Sequence, residues 1–310
     1  MNDNNLQTAH WSSYWSSGAL TSLPEDFKVN YDGEIASFWS DIFSDLPNGA
    51  KVLDVCCGNG PLSLLAIQNN STFEIHGVDS ANVNPQAIIH RFPNLAESIN
   101  KISFYSNTKI EDFDAENESF DIVISQYGLE YTNLEVTSRK LYQLLRPGGK
   151  LRIISHSVTS EMLEFMQSEY REYRLLIDNG FFKMVEEYDR SEEAYQSLVE
   201  SIKSCFDNLN IYLEKQESRF YRSLLAGLGK LGQMNYEQFE LNYNAMLGFF
   251  TQIRYGYSRL VDMLQANSLI HNEENWYKDF LNSGFELEKT GELMYASEHN
   301  VGTYFSFKKT

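Results

Sequence analysis

The sequence predicts a doubly wound α/β fold that carries a large helical insertion after its fifth strand. Up to Pro147, short β-rich segments alternate with helical ones, which is the pattern of parallel βαβ units. All six prolines lie at or before Pro147. From about residue 157 to 274 a long proline-free stretch follows with helical periodicity, and the last residues return to the α/β pattern.

Each predicted element follows from hydrophobic periodicity and from glycine or proline at its ends. The predicted strands span residues 51–55, 73–78, 102–105, 120–125, 150–155, 285–289 and 304–308, and the predicted helices of the α/β part span 32–43, 61–68, 134–145 and 276–283. The chain is therefore expected to contain an N-terminal helical cap (1–47), an α/β core (48–156), a helical insertion (157–274) and a C-terminal part of the core (275–310).

The composition narrows the possible functions. A net charge of −18 repels phosphate backbones, so we expect no nucleic-acid partner. No apolar run approaches the length of a membrane span, and the N-terminus lacks the pattern of a signal peptide, so we expect a cytoplasmic protein without a membrane span. The three cysteines form no CxxC pair, and no metal site is expected.

A glycine turn after the first strand is the strongest functional signal. The strand at 51–55 runs into Gly58 and Gly60, and a helix follows, which is an arrangement that lets the backbone approach a ligand closely. Asp79 ends the second strand, 25 residues after Asp54, where an acidic side chain can accept the hydroxyls of a ribose. The third glycine of a dinucleotide fingerprint is absent, and the Asp54 carboxylate suits an ammonium group better than a pyrophosphate.

These residues resemble motif I of class I S-adenosylmethionine (SAM) dependent methyltransferases. The segments 120–126, 145–151 and 284–285 resemble the fourth-strand motif, the turn before the fifth strand and the start of the C-terminal hairpin of that family. The resemblance implies a Rossmann-like seven-stranded methyltransferase sheet with an antiparallel last strand, and SAM as cofactor. The candidate cofactor-binding residues are Asp54, Cys56, Gly58, Gly60, Asp79, Ser80, Ile110, Glu111, Gln126, Tyr14 and Tyr31.

Two positions depart from the family pattern. Cys56 replaces its first glycine, as it also does in some quinone-biosynthetic methyltransferases. Lys109 stands where the family often has an acidic residue for the adenine amino group. We therefore expect the adenine contact to come from the backbone of Ile110 or from Glu111.

The candidate acceptor-side residues follow the fourth and fifth strands, whose carboxyl ends face the ligand crevice of such folds. His156 is a candidate general base, with a structural strand-end histidine as the alternative. Glu130 is a candidate for holding an acceptor group or a second base, with a solvated helix start as the alternative. Tyr127 is the third candidate catalytic residue, as a wall of the acceptor pocket, with simple packing as the alternative.

The function expected from these residues is methyl transfer from SAM to a small-molecule acceptor. Whether oxygen, nitrogen, sulfur or carbon is methylated stays open. The insertion carries Tyr- and Met-rich apolar stripes at helical spacing, which fit either core packing or a lid that encloses the acceptor. The alternative function is a SAM-binding scaffold or oligomerisation protein without turnover, whose stripe would bury against a partner chain, for example in a homodimer.

Overall fold

The computed structural model describes residues 8–23, 27–157, 161–178, 180–213, 219–273 and 275–310. Within them, seven strands form one sheet in the order β3-β2-β1-β4-β5-β7-β6. The strands are β1 (Lys51–Val55), β2 (Glu74–Val78), β3 (Ile102–Tyr105), β4 (Phe120–Gln126), β5 (Leu145–Ser155), β6 (Phe285–Tyr295) and β7 (His299–Lys309). The predicted Rossmann-like methyltransferase sheet is confirmed.

Strand directions place the ligand crevice. Strands β1 to β5 pair in parallel, and β7 pairs antiparallel with both β5 and β6. The strand order reverses between β1 and β4, and ligands of open α/β sheets bind beyond the carboxyl ends of the strands at such a reversal. The turns after β1 and β4 are therefore where a cofactor is expected.

The sheet is covered by helices on both faces because its central strands are apolar throughout. Along β1, Val52 points into one core and Leu53 into the other, as the two-residue period of a strand requires. The helices of this part are α1 (Ala9–Ser16), α2 (Gly33–Ser44), α3 (Pro61–Asn69), α4 (Pro85–Arg91), α5 (Ala96–Ile99), α6 (Leu134–Leu144) and α13 (Lys278–Asn282), with 3-10 turns at Pro93–Leu95, Ile110–Asp112 and Leu129–Tyr131.

The chain divides into two compact units, one comprising residues 1–161 and 265–310 and the other residues 162–264. The second unit has a core of its own that is rich in Tyr, Phe and Met beside Leu and Ile. Between β5 and α13 lie the helices α7 (Glu161–Asp178), α8 (Phe181–Glu186), α9 (Glu192–Leu213), α10 (Arg219–Leu231), α11 (Tyr236–Leu241) and α12 (Tyr243–Asn272). None of the helices in the described ranges is long and apolar enough to cross a membrane.

The structure corrects the predicted ends of the C-terminal elements. The helix expected at 276–283 covers only Lys278–Asn282, and the strands expected at 285–289 and 304–308 extend to Phe285–Tyr295 and His299–Lys309. The apolar pattern stops early because most of the second half of β6 is only partly buried or exposed. Pairing with β7, which no local pattern reveals, continues the strand past that point.

Candidate active site

The turn after β1 adopts a backbone conformation that favours glycine. Cys56, Gly58 and Gly60 have φ angles of +57°, +52° and +85°. A β-carbon at Gly58 would lie 2.5 Å from the nearest atom of the Trp15 ring, so this position also requires glycine for space. Cys56 holds the same left-handed conformation without being glycine, and such strained backbone concentrates at functional sites.

Asp79 ties the turn after β1 to the turn after β2. Its two carboxylate oxygens accept hydrogen bonds from the backbone N–H groups of Gly58 and Ala81, each at 2.8 Å. Burial raises the pKa of Asp79 to about 6, and these two N–H donors offset part of that rise. Each oxygen can accept a further hydrogen bond, so the carboxylate can still receive ribose hydroxyls.

Asp54 is the last but one residue of β1, next to the same turn, and is almost fully buried. Its Oδ2 accepts hydrogen bonds from the Ser63 backbone N–H at 3.1 Å and from the Ser63 hydroxyl at 2.7 Å. Burial raises the pKa of Asp54 to about 7 although Ser63 lowers it, and the nearby Asp79 raises it slightly further. Two buried carboxyls without a cation favour the binding of a cationic ligand.

Helix α1 covers this turn. Asn59, which is fully buried, donates from Nδ2 to the Trp15 carbonyl at 2.9 Å and to the Ala19 carbonyl at 2.7 Å. Its Oδ1 accepts from the Asn84 N–H at 2.7 Å, so one side chain joins the cap to the turns after β1 and β2. The Tyr14 ring packs 4.9 Å from the Trp15 ring, and its hydroxyl donates to the Thr21 carbonyl.

Ile110 and Glu111, the two predicted adenine contacts, differ in which of their groups could bind a ligand. Ile110 is buried at the start of a 3-10 turn, which leaves its backbone as the candidate contact. The Glu111 carboxylate instead accepts hydrogen bonds from the Asn133 N–H and the Thr137 hydroxyl, both at 3.1 Å, and so stabilises the start of α6. Ser80, directly after Asp79, is half-buried.

Two further predicted residues lie beside the end of β4. The Gln126 Oε1 accepts from the Trp39 indole N–H at 2.7 Å, while its buried Nε2 makes no hydrogen bond to the described residues. The Tyr31 hydroxyl lies 3.1 Å from the Ser22 hydroxyl. Burial raises the pKa of Tyr31, and Ser22 and the neighbouring Gln126 amide lower it in part. Gln126 thus retains donor capacity for a ligand.

Glu130 and His156 form a buried pair on the acceptor side. Glu130 Oε1 lies 2.6 Å from His156 Nδ1 and also accepts the His156 backbone N–H at 3.0 Å. The two residues are 4% and 8% exposed, which rules out the solvated helix start as the alternative for Glu130. The buried Glu130 Oε2 has no hydrogen-bond partner among the described residues, so it can accept from a bound molecule.

Two tyrosines pack against the His156 ring. The Tyr127 ring lies 5.0 Å from it, and the Tyr131 ring meets it edge-on at 5.9 Å. The Tyr127 hydroxyl donates to the Val301 carbonyl of β7, and its backbone has a φ of +53°. Its hydroxyl is therefore engaged, and the geometry suits a wall that holds His156 rather than a proton carrier.

Carboxylates surround the turn after β1. Burial raises the pKa of the Cys56 thiol well above its ordinary value, and the negative charges of Asp79, Glu130, Glu111 and Asp54 raise it further, in that order. The thiol therefore stays protonated and weakly nucleophilic beside the cofactor turn. The same four charges create a field that attracts a positively charged ligand.

The sequence interpretation missed Asn59 and Trp11 as site residues. Asn59 joins three segments through hydrogen bonds to residues that are distant in sequence. No local sequence pattern predicts such contacts. Trp11 contacts the Tyr131 ring edge-on at 6.0 Å and so reaches the acceptor side. The sequence could have indicated Trp11, because Trp11 and Trp15 are four residues apart and so share one face of a helix.

Comparison with known proteins identifies the family. The model of the "ubiE/COQ5 methyltransferase family" matches residues 34–220. The chain belongs to the ubiE/COQ5 methyltransferase family. S-adenosylmethionine is accordingly its cofactor, and the turns after β1, β2 and β4 fit this group: they offer carboxylates for a cation and, at the end of β4, buried polar atoms that the described residues leave unpaired.

Individual relatives match parts of the chain. The chloroplastic 2-phytyl-1,4-beta-naphthoquinone methyltransferase of Arabidopsis thaliana is 28% identical over 163 residues, or 52% of this chain and 60% of that protein. The ubiquinone/menaquinone biosynthesis C-methyltransferase UbiE of Blochmanniella floridana is also 28% identical, over 52% of this chain and 61% of that protein. The chain thus spans about 60% of the length of these two relatives.

Two further matches differ in extent. The demethylmenaquinone methyltransferase of Bacillus licheniformis is 29% identical over 55% of this chain and 77% of that protein. Among solved structures, a geranyl diphosphate methyltransferase in complex with GPP and sinefungin superposes with a TM-score of 0.35 at 18% identity, over 39% of this chain and 43% of that one.

Proposed function

We propose that this protein transfers the methyl group of SAM to a small aromatic acceptor of the quinone class. The observation that carries the proposal is the buried Glu130–His156 pair at the carboxyl ends of β4 and β5, beside the cofactor turn. The names of three relatives, which act on naphthoquinone, ubiquinone or menaquinone compounds, support the acceptor class. One of these names specifies a C-methyltransferase, which favours carbon as the methylated atom.

The proposed donor site uses the residues that surround the turn after β1. Asp79 receives the ribose hydroxyls with the lone pairs that Gly58 and Ala81 leave free. Asp54 faces the positive charges of the donor, either directly or through water. We take the backbone of Ile110 as the adenine contact, because Glu111 Oε1 already accepts two hydrogen bonds at the start of α6. When bound, SAM supplies an activated methyl group on a positively charged sulfur.

The proposed acceptor site uses the unpaired groups of the buried pair. His156 Nδ1 faces the Glu130 carboxylate, which keeps the ring oriented and leaves Nε2 as the atom that can take a proton. Nε2 makes no hydrogen bond to the described residues. Glu130 Oε2 can accept a hydrogen bond from an acceptor hydroxyl and thereby position the ring.

The proton balance of the reaction defines the role of this pair. Methylation of an aromatic C–H position forms one C–C bond, breaks the sulfur–methyl bond and releases one proton in total. Removing the hydroxyl proton of a reduced quinone makes its ring more nucleophilic, and His156 Nε2 is the atom proposed to take that proton. After methyl transfer the ring C–H bond breaks and the ring oxygen regains a proton, so that one proton is released in total. A base of this kind contributes about 10²–10⁴-fold to rate.

The proposal is tested with the purified chain, labelled SAM and a panel of acceptors. The panel contains 2-phytyl-1,4-naphthoquinone and a demethylmenaquinone, each as the quinone and after chemical reduction, with aniline and phenol compounds as non-quinone controls. Mass spectrometry should find one added methyl group on a quinone-class compound. SAM binding without product from any panel member or from a metabolite extract would instead support the scaffold interpretation.

A further inference from the structure

Helix α1 presents two tryptophans on one face, and they contact different parts of the site. Trp15 lies against Gly58 in the cofactor turn. Trp11, one helical turn earlier, meets the Tyr131 ring edge-on at 6.0 Å, and Tyr131 in turn meets His156 at 5.9 Å. A single helix thus contacts the donor side with one indole and the acceptor side with the other.

The position of α1 is fixed by groups that belong to the core. The Ser12 hydroxyl oxygen accepts from the Asn82 N–H at 2.9 Å, and Asn59 donates to the carbonyls of Trp15 and Ala19. These anchors lie in the turns after β1 and β2. Trp11 is therefore held beside Tyr131 by the donor side of the site, before any acceptor arrives.

We propose that Trp11 is a specificity-determining residue of the acceptor site and that α1 positions it there through the donor turn. The inference rests on the proposed function, because it takes the space beside His156 as the acceptor site. Trp11 contacts the Tyr131 ring, which meets the His156 ring edge-on, and so holds Tyr131 in place beside the proposed acceptor site. An edge-to-face aromatic contact has a defined geometry that a smaller side chain cannot reproduce.

The test compares Trp11→Ala with Trp15→Ala, and Trp11→Phe serves as the conservative variant. SAM affinity is measured by calorimetry, and the KM of chemically reduced 2-phytyl-1,4-naphthoquinone is measured by product formation. Trp11→Ala should raise this KM about tenfold while SAM affinity stays within about twofold. Trp15→Ala should weaken SAM binding about tenfold or more, and Trp11→Phe should recover most of the KM.

A second readout does not need turnover. Nitrogen-15 NMR of histidine-labelled protein reports the His156 ring in the free chain, and a His156→Ala spectrum assigns its signals. Trp11→Ala should shift the His156 signals because Tyr131 loses its edge-on contact with Trp11, whereas Trp11→Phe should shift them less. Thermal unfolding checks that each variant is folded.

The outcomes separate this inference from the proposed function. If the unchanged protein methylates no panel compound, the proposed function is contradicted. The His156 spectra then still test whether Trp11 acts on His156 through Tyr131. Unchanged His156 signals in a folded Trp11→Ala protein overturn the inference. So does a Trp11→Ala protein that loses SAM affinity as much as Trp15→Ala while its acceptor KM stays unchanged.

Discussion

The Nδ1 atom of His156 lies 2.6 Å from the Oε1 atom of Glu130, and both side chains are buried. The two residues come from segments that follow neighbouring parallel strands, and they are 26 positions apart in the chain. A carboxylate at Nδ1 orients the ring and leaves its other nitrogen as the atom that we propose takes a proton. The pair follows strand ends where such folds bind ligands, and this position supports the proposed general base.

His156→Ala should lower kcat by about 10²-fold or more while SAM affinity stays unchanged, since the proposed base is lost and the donor turn is intact. Glu130→Gln, which keeps the shape but not the charge, should also lower kcat. His76→Ala is the matched control, because His76 also pairs with a glutamate, Glu74 at 3.0 Å, but lies within β2 and away from the ends of β4 and β5. Steady-state kinetics with SAM calorimetry would disprove the base if His156→Ala retained near-normal kcat.

Asp79→Ala should weaken SAM binding by about tenfold or more, because charge-assisted hydrogen bonds to the ribose are each worth about 1.5–3 kcal/mol. The loss also frees the N–H groups of Gly58 and Ala81, so the turn itself becomes less ordered. Asp79→Asn should have a smaller effect, since an amide oxygen can still accept. Calorimetry that finds the same SAM affinity in Asp79→Ala would remove the ribose assignment.

Stability of the free protein should depend on pH through Asp54 and Asp79. Both carboxyls ionise near 3.8 when unfolded, and burial raises their pKa values in the folded protein to about 7 and about 6. At pH values between the unfolded and the folded pKa, the folded state binds more protons than the unfolded state. The contribution of these two groups to the unfolding free energy should therefore fall from pH 4 to pH 7 and then level off.

SAM affinity should change in the opposite direction. A positively charged donor favours the ionised carboxyls, so its affinity should rise about tenfold or more from pH 5 to pH 8. S-adenosylhomocysteine, which remains when SAM has lost its methyl group, lacks the positive charge on sulfur. Its affinity should rise less with pH, which makes it the matched control ligand. Calorimetry at both pH values would contradict the account if donor and product had the same pH profile.

Replacing residues 162–264 with a flexible linker should preserve SAM binding and abolish turnover. The proposed donor residues lie in the other unit, which has two extensive cores of its own. The acceptor-binding role predicted for the insertion accounts for the expected loss of turnover. Calorimetry measures the first effect and product formation the second, and retained turnover on the native acceptor would remove this role of the insertion.

The core of the fold was predictable because its signals are local. A few neighbouring residues suffice to recognise the glycine turn after β1, Asp79 after β2 and the apolar run of β4. The strand order of the sheet agrees with these assignments. The extent of β6 was not predictable. Its second half is mostly polar or exposed and is defined by pairing with β7 rather than by its own pattern.

The sequence predicts candidate residues for the site but not the contacts between them. Strand ends indicated Glu130 and His156 separately, yet their hydrogen bond depends on the register of β4 and β5. Glu111 shows the same limit. Its place after β3 predicts an adenine contact, whereas the hydrogen bonds of its Oε1 atom at the start of α6 depend on the fold. Asn59 acts through partners 44, 40 and 25 residues away.

The most direct test of the proposed function locates the transferred methyl group. The full chain is incubated with SAM that carries a carbon-13 methyl and with chemically reduced 2-phytyl-1,4-naphthoquinone, and the product is analysed by carbon NMR and mass spectrometry. If the proposed function is correct, the product carries one labelled methyl group bonded to a ring carbon. A label found on oxygen, or a chain that binds SAM and methylates neither this compound nor a demethylmenaquinone, would contradict it.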